Sequence, residues 1–158
     1  MTSGFLPTNP TNKDEGEGEV SSAPFWPVIK LKDLRDIMRT DGTITTERLR
    51  HAVIDAVAAV NSDLSGWAIN RQGDGYEQLA DVPSQTVNAE SVLVHWYRRA
   101  VYSMARANLY ERYLDSSATA EAVKDTDARD QTANDLYRDA RFAIRDILGE
   151  THTTVELI

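Results

Sequence analysis

The stretch from Glu90 to Leu114 constrains this chain more than any other. Leu93, Trp96, Tyr97, Ala100, Val101, Met104 and Ala107 recur three and four positions apart, which marks one broad buried face of a long helix. His95, Tyr102, Leu109 and Tyr113 form a second, narrower stripe roughly opposite, edged by Arg98, Arg99 and Arg106. A helix with one apolar face needs one partner, and a helix with two needs two. Either another helix of this chain or a neighbouring subunit must supply the second. The four residues of that stripe are therefore candidate interface positions.

The totals bound what can surround such a helix. The chain has 158 residues, the length of one domain. Hydrophobic residues make up 41%, enough to build a core. A net charge of −8 disfavours a protein that tracks phosphates, though it does not exclude one that surrounds DNA without gripping it. With no cysteine there is no disulfide, no thiolate nucleophile and no Cys-ligated zinc. No apolar run reaches the length of a membrane span, and the start has neither the basic nor the apolar region of a secretory signal.

In chain order, residues 1–23 read as a disordered acidic and polar tail, with the run Asp14-Glu15-Gly16-Glu17-Gly18-Glu19 inside it. Residues 24–149 read as an all-α domain, and residues 150–158 as an extended C-terminal tail. Pro24-Phe25-Trp26-Pro27 implies an extended segment laid across the core. A short helix is expected over 31–39, ending at the turn Asp41-Gly42. Thr45 is the expected N-cap of a second helix over 46–64, with Leu49, Val53, Ala56, Val57, Val60 and Leu64 on one stripe. From Ser65 to Asn88 helical periodicity is lost, and a hairpin around Gly73-Asp74-Gly75 is one reading. The central helix is expected to start near residues 88–90. Asp115-Ser116-Ser117 reads as a turn, 119–124 as one helical turn, and 127–148 as the last helix, stopped by Gly149. The sum is a small bundle of three main helices plus a short N-terminal one. Its expected centre sets Val53, Val57 and Val60 against Leu93, Ala100 and Met104, closed by Ala140 and Ile144.

Chemistry has little to work with. His51, His95 and His152 fall on different elements, and none pairs with a carboxylate at metal-ligand spacing. Asp125-x-Asp127 begins like a calcium loop, but Asp130 replaces the required glycine and Leu136 the closing glutamate. Neither a nucleophile elbow nor a phosphate loop occurs. The expectation is a protein with no catalytic, metal or cofactor residues. Two classes are weighed besides an enzyme with an unrecognised carboxylate pair: a structural assembly subunit, and a small helical adaptor or regulator binding one cellular protein.

The run from Arg39 to Ala52, Arg-Thr-Asp-Gly-Thr-Ile-Thr-Thr-Glu-Arg-Leu-Arg-His-Ala, resembles the head completion protein (GPL) family of tailed bacteriophages. Phe25-Trp26-Pro27, the run Trp96 to Val101 and the ending Thr153 to Ile158 are similar to that family too. The resemblance covers about residues 25–158. It implies a non-enzymatic structural role at the portal vertex, where such proteins stabilise the DNA-filled head and prepare it for tail attachment. It further implies a ring of copies beneath the portal protein, with neck or tail proteins as partners and DNA passing nearby without sequence-specific binding. The location implied is the virion neck, reached from the host cytoplasm during assembly.

Two expectations concern contact surfaces. Tyr102, Leu109 and Tyr113, with His95, should meet another subunit or the portal. Val155 and Leu157 alternate with Thr154 and Glu156, so the last residues should add to an exposed strand edge on the portal or a neighbour, and be mobile when free.

Overall fold

The computed structural model describes residues 16–38, 44–114 and 120–152, and the side chains of these except 113, 114 and 120–131. Five helices dominate: α1 (Leu31–Met38), α2 (Thr46–Asp63), α3 (Ser65–Gly73), α4 (Val92–Leu114) and α5 (Ala120–Leu148). Two small antiparallel hairpins accompany them, β1 (Glu19–Val20) with β2 (Ile29–Lys30), and β3 (Thr86–Val87) with β4 (Glu90–Ser91).

The all-α expectation holds, and α4 is its centre. Helix α2 packs on one side of it and α5 on the other. Tyr97, Ala100, Val101, Tyr102, Ser103, Ala105, Ala107 and Leu109 are all buried, so α4 is covered around most of its circumference. Of the residues expected at the centre, Val53, Val57, Val60, Leu93, Ala100, Ala140 and Ile144 are buried and Met104 is half-buried, but α2 and α5 flank α4 rather than meeting in one three-helix centre. Each fully buried aliphatic side chain stabilises by roughly 1.5–3 kcal/mol.

Helix α2 begins where the sequence placed it. The Thr45 hydroxyl accepts from the Arg48 N–H at 3.3 Å, and Glu47 sits in the first turn. The chain bends at buried Leu64 and enters α3 directly, with the Ser65 hydroxyl donating to the Ser62 carbonyl at 2.8 Å. Sequence periodicity missed α3. It is short, carries Gly66 and Gly73, and buries only Ala68 fully, so its stripe is too brief to register.

A hairpin does form in this region, but later than Gly73–Gly75, which instead closes α3. It turns at Asn88 and Ala89, with φ of +53° and +61°, the two left-handed residues that a tight hairpin turn requires. Asn tolerates that region and Ala seldom adopts it, so the composition does not advertise the turn. The hairpin delays α4 to Val92, where the Ser91 hydroxyl accepts from the Leu93 N–H.

The expected tail boundary at Ala23 also moves. Glu19 pairs with Lys30 and Val20 with Ile29, and Val20 packs on the core. Arg35 donates to the Glu17 carboxylate and to the Ile44 carbonyl, while Arg50 donates to the Glu17 carbonyl at 3.0 Å. Gly18 lies beneath that guanidinium at φ +81°, where a Cβ would sit 3.2 Å from Nη2. Two arginines thus fasten a segment whose composition alone reads as disordered. Residues 1–15 lie outside the described chain.

At the other end, the two expected helical pieces are one helix, α5. It closes as foreseen at Gly149 (φ +73°), whose N–H donates to the Asp146 carbonyl while the Glu150 N–H reaches Arg145. The expected turn at Asp115–Ser117 lies outside the described residues.

Candidate interaction surface

The second stripe of α4 does not form one exposed patch. Tyr102 is 9% exposed and Leu109 only 3%, and both belong to this chain's own core. Burial, followed by the negative charge of Asp33 on α1, pushes the Tyr102 phenol up from its ordinary range. Both side chains, expected at an interface, are thus covered by packing within this chain. A helical wheel shows that a face needs cover but not which chain supplies it. Among the described side chains of the stripe, His95 alone is exposed. The side chain of Tyr113 and the residues Val155 and Leu157 lie outside the described parts.

On the α2 side, α4 is sealed by aromatic packing. Trp26 stacks on Tyr97 with centroids 4.9 Å apart and planes at 10°, and Phe25 meets Trp26 edge-on at 4.8 Å. Phe25 also contacts Trp67, and its carbonyl accepts from the Leu79 N–H at 2.9 Å. The Tyr97 hydroxyl donates to Asn61 Oδ1 at 2.7 Å, and Asn61 reaches Ser22 at 3.1 Å. Burial pushes the Tyr97 phenol up to about 12 despite these bonds. The aromatic entry does lie across the core, but as a turn rather than the extended segment expected, with the Trp26 N–H donating to the Ala23 carbonyl at 3.0 Å.

On the α5 side a polar seam joins the helices. Arg99 donates twice to Asp139, the Ser103 hydroxyl donates to Asp139 at 2.9 Å, and Asp146 lies 3.8 Å from Arg99. Burial works against ionising Asp139, but the Arg99 and Ser103 hydrogen bonds outweigh it and hold the carboxyl below its usual range. Further along, the Tyr137 hydroxyl reaches Asn108 at 3.0 Å and Glu111 at 2.7 Å, and its phenol is raised to about 12, by burial first and then by Glu111. Sequence reading missed this seam, since its partners lie far apart in the chain and no local spacing announces them.

The β3–β4 hairpin projects between two recesses. One, of about 800 Å³, is lined by the aromatic strap, Leu79, Val94 and Arg98. The other, of about 350 Å³, is lined by Val87, Asn88, Glu90, Val92 and His95. Val87 leaves 64% of its surface exposed, and Val28 beside the larger recess 41%. Among the described residues no group of acidic and histidine side chains could hold a metal ion, and no helix is long and apolar enough to cross a membrane. The arrangement offers surfaces to bind with.

Comparison with known proteins points the same way. The family model described as phage head completion protein (GPL) matches residues 20–158. A "Head completion/stabilization protein" of Escherichia phage P2 is 37% identical over 142 residues, covering 90% of this chain and 84% of that protein. A "Probable head completion/stabilization protein" of Haemophilus phage HP1 is 22% identical over 150 residues, covering 95% of this chain and 99% of that protein. No solved structure matches.

Proposed function

The chain belongs to the phage head completion protein (GPL) family, and from that premise we propose that it closes the packaged head at the portal vertex as a ring of copies and readies it for tail attachment. The observation that carries this reading is the match of the P2 head completion and stabilization protein along nearly the whole chain.

Three physical features support the finer parts. A central helix whose faces are covered within one chain makes each subunit a finished part, free to spend its hairpin and termini on neighbours. A net charge of −8 suits a wall past which DNA slides without sticking. The exposed hairpin, and an ending in which Val155 and Leu157 alternate with polar residues, suit strand-edge contacts with the portal protein, with neighbouring copies or with neck and tail proteins.

Removal of Thr153–Ile158 tests the reading. The truncated subunit keeps its helical domain, because α5 is already closed at Gly149. Heads completed with it should lose DNA or fail to join tails. Normal yields of infectious particles would remove the tail from the assembly role.

A further inference from the structure

The described side chains of α5 sort their charges by edge. Asp135, Asp139 and Asp146 lie along one edge, where Arg99 of α4 takes Asp139 and, with His152, Asp146. Arg138, Arg141 and Arg145 lie along another. Spacings of three and four place these arginines within about 60° on the helix surface, over about 10 Å of its length. Arg138 has an exposed partner in Asp135 at 3.0 Å, whereas Arg141 and Arg145 enter no ion pair among the described residues. Arg141 is exposed and Arg145 half-buried. An open basic edge is out of character in a chain with 25 acidic against 17 basic residues. In an assembly past which DNA must slide, it would also grip phosphates unless something covered it.

We propose that this arginine edge of α5 docks on a second copy of the chain, at the acidic stretch that runs from Asp74, where α3 ends, to the 3₁₀ turn Leu79–Asp81. The proposal rests on the assembly reading and names a contact that joins neighbouring copies. Asp74 is held by Arg71 at 3.4 Å, but Glu77 and Asp81 are exposed and have no ion-pair partner among the described residues. The two patches belong to different parts of the subunit: α5 packs on α4, whereas α3 packs on α2. Among the described residues no ion pair joins them, so each is left for a neighbour. A two-fold contact through α5 sets arginine against arginine, and one through the acidic stretch sets acid against acid; both repel. Only a heterologous contact, the basic edge of one copy on the acidic stretch of the next, brings opposite charges together. Repeated contacts of that kind close into a ring or run on as a filament. Charges at such a contact steer and orient the encounter, and like charges in the wrong pairing penalise it.

Charge reversal in pairs tests the contact. The readout is the yield of infectious particles from heads completed by each variant, with thermal melting as the check on folding. Arg141→Glu with Arg145→Glu puts acid against acid, and Glu77→Arg with Asp81→Arg puts base against base. Each should keep a cooperative melt and lower the yield at least about tenfold. The variant carrying all four changes restores opposite charges with their signs exchanged, and should recover most of the yield. Arg145 also complements the negative end of α5, so Arg141→Glu alone repeats the basic-side test without touching the last turn. An undiminished yield from either reversal would overturn the proposal. So would losses that the four-change variant does not recover, with DNA as the occupant if the unaltered chain holds duplex DNA in a salt-sensitive way. Heads lacking the protein altogether separate this contact from the assembly reading. If such heads are fully infectious, both fail; if they are not, undiminished yields from the reversals remove the contact alone.

Discussion

The two sides of α4 are held by different physics. Toward α2 the contact is apolar and aromatic: Val53 and Val60 are fully buried, and Tyr97 is capped by Trp26. Toward α5 small residues, with Ala100, Ala107, Ala140 and Ala143 buried, accompany the buried Ile144 and Ile147, and the polar seam of Arg99, Asp139 and Ser103 runs beside them. Burying large apolar groups supplies most of a fold's stability, whereas half-exposed ion pairs supply little. Apolar burial on both sides therefore stabilises the subunit, with the large aromatic rings confined to the α2 side. The α5 side fixes how closely, and in what register, the last helix lies.

Val57→Asp strikes the first side. It buries a charge with no partner and should cost on the order of 4 kcal/mol or more, enough to abolish the cooperative melt followed by far-UV CD. An unchanged melting temperature would break the comparison. Ala140→Leu strikes the second side by forcing α5 away from α4. The cost should be about 1–3 kcal/mol, measured by urea unfolding. Asp139→Asn removes only the seam's charge. Arg99 and Asp139 are each more than a third exposed, so the loss should be about 1 kcal/mol or less and should shrink with added salt.

The pH dependence of that last variant sharpens the point. The Asp139 carboxyl is held below its usual range in the fold, so the unfolded chain binds more protons as pH falls. The original protein loses the seam's contribution from about pH 4 downward, while Asp139→Asn has none to lose. Their melting temperatures should converge in acid. A gap that widens below that pH would contradict the assignment.

How much was legible in the sequence follows the same division. The α2 stripe, the Thr45 cap and the Gly149 stop rest on local spacing and local backbone geometry, and they could be read directly. Helix α3 could not, because its two glycines and single fully buried alanine leave almost no periodic signal. Nor could the anchoring of Glu17, which depends on arginines 18 and 33 residues away in an otherwise disorder-like run. The second stripe is the most instructive case. Tyr102 and Leu109 were correctly read as needing cover, yet only the fold reveals that this chain supplies it. Of the candidate interface residues, His95 alone lies on a described open surface.

That α4 finds its partners within its own chain is the central claim, and Tyr102→Glu tests it most directly. A carboxylate at this buried position, near Asp33, should destabilise the isolated subunit by several kcal/mol and lower its melting temperature by more than about 10 °C. An unchanged melt, accompanied by loss of assembly onto heads, would return the stripe to an interface between molecules and contradict the account.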